Sequence, residues 1–316
     1  MKYPVKLKRS PINEISLELR FKSHYPPEAV FGVFYSHIQE QFSAKPKPHT
    51  IMQLPEKIRL NDPALRYTPY YKLENHDMVL NIGPEVVSFV NRQLYLGWEA
   101  FSKIFYKTFK NLIDSQVFKD IHSMNLRYIN VFKENIFNHI NLKIIFESED
   151  IHDQPIDFKT VLYKENFENF IRIGNSFDIE IEDQIVKRSI VDISCKSKIE
   201  NSETFLRNPS DLIEKAHKIE KEIFFQTLKK DYIKTFDPTE TLNSLIHNSS
   251  VNDNADESEI KIASCYEKKY IFNPEPITKS EPLVKTPIQK KVKLKLQKPR
   301  TLEFSSIEDE NGFINE

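Results

Sequence analysis

The sequence predicts an α+β protein, an antiparallel sheet with long amphipathic helices packed on it, followed by a disordered C-terminal tail. Three patterns say so. Six short apolar runs between residues 126 and 194 are punctuated by Asn, Asp and Gly174, with breaks too short for the crossovers that parallel strands need. Three longer stretches repeat apolar residues at three- and four-residue steps, as a buried helix face does. Past residue 248 this material thins out: residues 251–316 hold 5 Pro, 5 aromatic, 11 basic and 12 acidic side chains, too little apolar surface to offset the entropy of ordering.

The first element spans residues 13–22, where Ile15, Leu17, Leu19 and Phe21 alternate with Ser16, Glu18, Arg20 and Lys22 as in a half-buried strand. Pro27 suits the first turn of a helix whose apolar set is Val30, Val33, Phe34, Ile38 and Phe42, ended by Pro46 and Pro48. Five prolines between residues 45 and 69 predict an extended wrap, with a short strand near residues 51–60. Residues 70–91 read as a hairpin turning at Gly83-Pro84. Trp98, Phe101, Phe105, Phe109, Leu112 and Ile113 then trace a second helix to about residue 118, with Trp98 as its core anchor. Strands are expected over residues 126–132, 140–146, 158–163, 167–173, 177–181 and 185–194. Asn208 and Pro209 open a closing helix that carries Leu212, Ala216, Ile219, Ile223 and Leu228 to about residue 236. Residues 1–248 thus read as one globular body and residues 249–316 as the tail. Strands beside one long helix occur in both parts of the body, which admits two similar halves, although no repeat in the sequence demonstrates duplication.

Composition excludes several function classes. With 45 basic and 46 acidic side chains in 316 residues the formal charge is −1, so no whole-surface attraction for nucleic acid or membrane is expected. The 5 glycines form neither G-x-G-x-x-G nor G-x-x-x-x-G-K-[ST], and H-E-x-x-H, G-x-S-x-G and C-x-x-C are absent too. Cys195 and Cys265 supply neither a disulfide framework nor a thiolate zinc site. The N-terminal MKYPVKLKRS lacks an apolar core and no membrane-length apolar run exists, so a cytoplasmic chain with no signal peptide and no membrane span is expected. No catalytic residue, metal or cofactor is assigned.

Four groups could still carry chemistry. Asp157 and Lys159, with Glu149 or Asp150 upstream, imitate a metal-dependent nuclease, in which two carboxylates hold Mg²⁺ and a lysine supports the attacking water. The competing reading is a polar connection between strands. Glu147, Glu149, Asp150, His152 and Asp153 offer oxygen ligands for a divalent cation, but without an EF-hand register. Asp178, Glu180 and Glu182 alternate along one strand, which aims three carboxylates at one face, a solvated surface or a dock for a basic partner. His217 falls on the buried stripe of the last helix, where a satisfied core histidine is favoured over a proton-transfer role.

The tail holds the most distinctive local pattern. Residues 285–300 contain seven basic and no acidic side chains, and Val292, Leu294 and Leu296 alternate with Lys291, Lys293 and Lys295. Such a segment can add as a strand to a protein partner's sheet edge, with backbone bonds giving affinity and alternate side chains giving specificity. Nucleic-acid binding through the basic tail ranks lower, because aromatics and interleaved arginines for stacking and base reading are missing.

Several strings resemble those of a sporadically distributed family of uncharacterised prokaryotic proteins. They are Pro11-Ile12-x-Glu14, Leu19-Arg20-Phe21, Asn81-Ile82-Gly83-Pro84, Trp98-x-x-Phe101, Leu126-Arg127-Tyr128-Ile129-Asn130 and His217, together covering about residues 8–240. The resemblance implies a bacterial or archaeal cytoplasmic protein from horizontally moved genes, such as defence or toxin–antitoxin cassettes, and it brings no catalytic residue. The expected function is a non-catalytic binding or regulatory protein, an accessory, sensor or neutralising component of such a system. The alternatives are the nuclease built on Asp157 and Lys159 and a nucleic-acid-binding adaptor.

Overall fold

The structure, a computed structural model, describes residues 3–4, 6–76, 78–91, 95–181 and 184–239, with the backbone alone at 180, 181 and 184. The tail, including Lys291 to Leu296, lies outside the described residues. In chain order come Lys6–Leu7 (β1), Ile12–Ser23 (β2), Pro27–Ile38 (α1), Lys47–Pro48 (β3), Glu56–Asn61 (α2), Tyr71–Glu74 (β4), Met78–Ile82 (β5) and Val86–Asn91 (β6). Then follow Trp98–Asp114 (α3), Phe118–Phe132 (β7), Ile145–Phe146 (β8), Glu149–Asp150 (β9), Asp157–Lys164 (β10), Phe167–Ile181 (β11) and Gln184–Lys198 (β12). Ser202–Arg207 (α4), Ser210–Thr227 (α5), Lys230–Lys234 (α6) and Pro238–Thr239 (β13) close the described chain, and β13 pairs with β1.

Nine strands form one antiparallel sheet in the order β10-β11-β12-β7-β2-β6-β5-β4-β3. The expected fold class is the observed one, and the strand order reveals its two halves. The strands β2, β4, β5 and β6 and the strands β7, β10, β11 and β12 each run first-fourth-third-second outward from the centre, and each set is followed by a long helix, α3 or α5. The two first strands meet antiparallel at the middle. There Ser16 faces Arg127, Leu17 faces Leu126, Glu18 faces Asn125, Leu19 faces Met124 and Arg20 faces Ser123. Those partners are the two copies of one string, S-x-x-L-R followed by Phe21 or Tyr128, related by a pseudo-twofold axis at the Glu18–Asn125 pair.

Alternation in β2 puts Ile15, Leu17, Leu19 and Phe21 into a core from which solvent is fully excluded. The helices cover that face. Phe34 of α1 and Phe109 of α3 both pack on Phe118, Phe105 of α3 packs edge-on to Phe89, and α5 lies over β12 and β7. Gly97 precedes α3 at φ +91, a left-handed conformation that a Cβ disfavours.

The differences from the sequence expectation have local causes. Residues 50–65 form two 3₁₀ turns and α2 rather than a strand, because Pro55 and Pro63 sit at helix starts, where a fixed φ and a missing N–H are tolerated. The hairpin at 70–91 has a third strand, β4. Residues 140–144 do not join the sheet; Ile140 makes a single bridge to Leu228. The runs at 167–173 and 177–181 are one strand, β11, with a bulge between Gly174 and Phe177. The closing helix stops at Thr227, where Leu228 turns extended at ψ 145, and α4 precedes it.

Candidate functional site

The nuclease-like residues belong to two separate sheets. Asp157 starts the edge strand β10 and accepts two bonds from the Arg172 guanidinium, 2.7 Å from Nε and 3.0 Å from Nη2, with Lys159 Nζ 3.2 Å away. Hydrogen bonds from Arg172 and Lys159 outweigh partial burial and hold its carboxyl below the usual range. Glu149 and Asp150 sit apart, in the small β8–β9 ribbon, where Asp150 accepts from His152 Nδ1 at 2.9 Å. Among the described residues no group of three or more His, Cys, Asp or Glu side chains is placed to hold a metal ion. In the acidic strand Asp178 pairs with Lys187 of β12 at 2.6 Å and both are exposed; Glu180 belongs to β11, and Glu182 lies outside the described residues.

His217 lies in a polar cluster between α5, α3 and the sheet. Its Nδ1 is 2.8 Å from the Tyr128 hydroxyl, and its ring stacks on Trp98 at 4.1 Å. Trp98 Nε1 donates to the Glu214 carboxylate at 2.9 and 3.0 Å, so the single tryptophan is half-buried and joins α3 to α5 instead of anchoring the centre of the core. Desolvation pushes His217 down to about 3 and keeps its imidazole neutral, so Nδ1 can accept the Tyr128 proton. One turn on, Glu220 is 5 % exposed, and burial raises its carboxyl to about 8. The nearby Cys195 thiol and the Tyr95 and Tyr128 phenols are likewise pushed up by burial. Trp98, Tyr128 and His217, from three separate strings, thus meet in space as one uncharged, hydrogen-bonded and stacked cluster.

The face of the sheet opposite α1, α3 and α5 carries residues that motif searching passes over. One row crosses all nine strands: Lys47, Lys72, Asn81, Ser88, Glu18, Asn125, Lys196, Glu168 and Tyr163 are successive cross-strand partners. Each is polar, and the row is centred on the pseudo-twofold pair. Beside it Arg127 donates to both Asp192 oxygens at 2.9 and 2.7 Å, a forked pair with side chains only 22 % and 10 % exposed. Burial raises the neighbouring Glu14 carboxyl, against the pull of Arg127. On the opposite side of the axis Arg20 bonds Glu18 at 2.7 Å and lies over the Tyr67 ring, whose hydroxyl reaches His122 Nε2 at 3.2 Å. The available signal was the polar member of each alternating pair in β2 and β7, which becomes a row only once the register is known.

No family model and no curated protein matches this chain.

Proposed function

We propose that the protein is a non-catalytic binding or regulatory component that recognises a macromolecular partner through the sheet face opposite α1, α3 and α5 and through the segment 285–300. The observation that carries this reading is the nine-residue polar row. A sheet face that only needed solvation would not require salt bridges as sheltered as Arg127–Asp192, whereas a recognition face gains from charges fixed in place before binding. The nuclease alternative is disfavoured by the Arg172 fork on Asp157. Resemblance to a family with scattered occurrence supports a role as accessory, sensor or neutralising component in a prokaryotic defence or toxin–antitoxin system. No helix among the described residues is long and apolar enough to cross a membrane.

The test is capture of partners by the full chain from its own cells, identified by mass spectrometry, with two sets of variants. Lys72→Glu with Lys196→Glu should reduce capture at least tenfold. Replacing Val292, Leu294 and Leu296 by Ser should abolish strand addition by the tail, while Lys291, Lys293 and Lys295 changed to Gln should weaken it mildly. Retention of the same partner by both the row and the Ser variants would refute the reading. Loss confined to the Gln variant, with a flattened salt slope, would select nucleic acid instead.

A further inference from the structure

The two ends of the sheet are unlike. At one end β3 has only two residues, Lys47 and Pro48, and the proline cannot donate to a ladder. At the other, β10 is eight residues long and pairs with β11 without a register shift. Its outer side meets no other strand of the described residues. Leu162 is 48 % and Tyr163 78 % exposed, and Phe170 beside them on β11 is 41 % exposed. A long, regular, partly apolar edge is what folded proteins avoid unless something covers it.

Backbone directions along β10 follow from three bonds. The Ile156 carbonyl accepts from Asn175 N at 3.1 Å, Ile156 N donates to Asn175 Oδ1 at 2.8 Å, and the Leu162 carbonyl accepts from Asn169 Nδ2 at 2.9 Å. Even-numbered residues therefore turn their backbone groups inward to β11, and Asp157, Lys159, Val161 and Tyr163 turn theirs outward. Side chains alternate too: Lys159, Val161 and Tyr163 share the face of the polar row, while Phe158, Thr160 and Leu162 share the core face.

We propose that β10 is a dimerisation edge on which a second copy of this chain pairs its own β10, antiparallel and centred on Thr160. In that register Phe158 faces Leu162 of the other copy, Lys159 faces Val161, Asp157 faces Tyr163, and Thr160 faces itself. All four outward residues are used and no charge meets a like charge. The competing face-preserving registers are poorer. Centring on Lys159 opposes two lysines, centring on Val161 sets Asp157 against Glu165, and centring on Leu162 leaves Asp157 and Phe158 unpaired. The chain's own basic strand is a worse occupant, because its three lysines would lie beside Lys159 and Arg172 on one face or Lys164 on the other. This dimer does not depend on the partner face proposed above.

The test uses the full chain with Cys265→Ser. Sedimentation from low to high micromolar concentration should show a species of twice the 37.3 kDa chain mass. Val161→Pro removes only an outward N–H and Val161→Lys keeps the hairpin backbone, and both should sediment as monomers with an unchanged circular dichroism spectrum. Thr160→Cys should give a disulfide-linked dimer under oxidised glutathione, since a facing non-hydrogen-bonded pair brings Cα atoms to about 4.5 Å. Leu162→Cys should not. A monomer at every concentration, a dimer that survives both Val161 variants, or cross-linking through Cys at 162 in place of 160 would each overturn the proposal.

Discussion

Replacing Glu220 by Gln should remove a pH dependence that the fold builds into α5. The carboxyl sits 5 % exposed on the same helix face as Ile213, Ala216 and Ile223, and burial raises it from 4.5 to about 8, with Lys221 opposing only in part. Between these two values the folded chain keeps a proton that the unfolded chain has released. Stability therefore falls as pH rises through this window, by about 1.4 kcal/mol per pH unit and on the order of 4 kcal/mol by pH 8. His217, three residues earlier, has the opposite sign. Its imidazole is neutral in the fold down to about 3 but protonated below about 6.5 when unfolded, so its contribution is lost as pH falls through that range. The two slopes cancel between about pH 4.5 and 6.5, leaving a plateau that the histidine ends on the acid side and the glutamate on the alkaline side. Urea unfolding followed by fluorescence of Trp98, the single tryptophan, which stacks on His217, reads this directly. Glu220→Gln should match the wild type near pH 5, once that proton's small share is allowed for, and exceed it by several kcal/mol at pH 8. Equal slopes for both proteins between pH 6.5 and 8 would refute the reasoning, because Glu220 would then be ionised at no cost.

Arg127→Ala should destabilise by about 3 kcal/mol, since it strands the Asp192 carboxylate beside Glu14; Arg127→Ala combined with Asp192→Ala should recover part of that loss in the same urea assay. Trp98→Ala should cost about 2 kcal/mol, below the value for a fully buried ring, and an unchanged thermal midpoint would remove the α3–α5 link. Gly174→Ala should lower the melting temperature by several degrees, because the new Cβ would lie 2.5 Å from both the Ile156 carbonyl oxygen and the Phe177 ring. A stable Ala variant would mean that the bulge relaxes freely.

Much of the architecture was legible in the chain because it rests on short-range periodicity. The alternation of Ile15, Leu17, Leu19 and Phe21 could satisfy only a strand with one buried face, and the steps from Phe101 to Leu112 only a helix lying on one. The same logic fails where neighbours decide. Residues 51–60 became helical turns around Pro55 instead of a strand, and Gly174 to Phe177 continues one strand because β12 pairs on both sides of the bulge. The two-halved arrangement has its trace in Leu19-Arg20-Phe21 and Leu126-Arg127-Tyr128, yet two strings so short identify each other only when β2 and β7 lie side by side. Local pattern likewise gave Asp157 and Lys159 a catalytic look, and it was the cross-strand approach of Arg172 that turned the carboxylate into half of an ion pair. Sequence by itself determined which side of each element meets water, because burial of apolar surface is settled within a few residues. Tertiary structure alone decided which polar side chains meet: the row from Lys47 to Tyr163, the Arg127–Asp192 fork, the His217–Tyr128 contact and the open edge of β10. Those meetings depend on strand order and register, which are set by pairings between residues far apart in the chain.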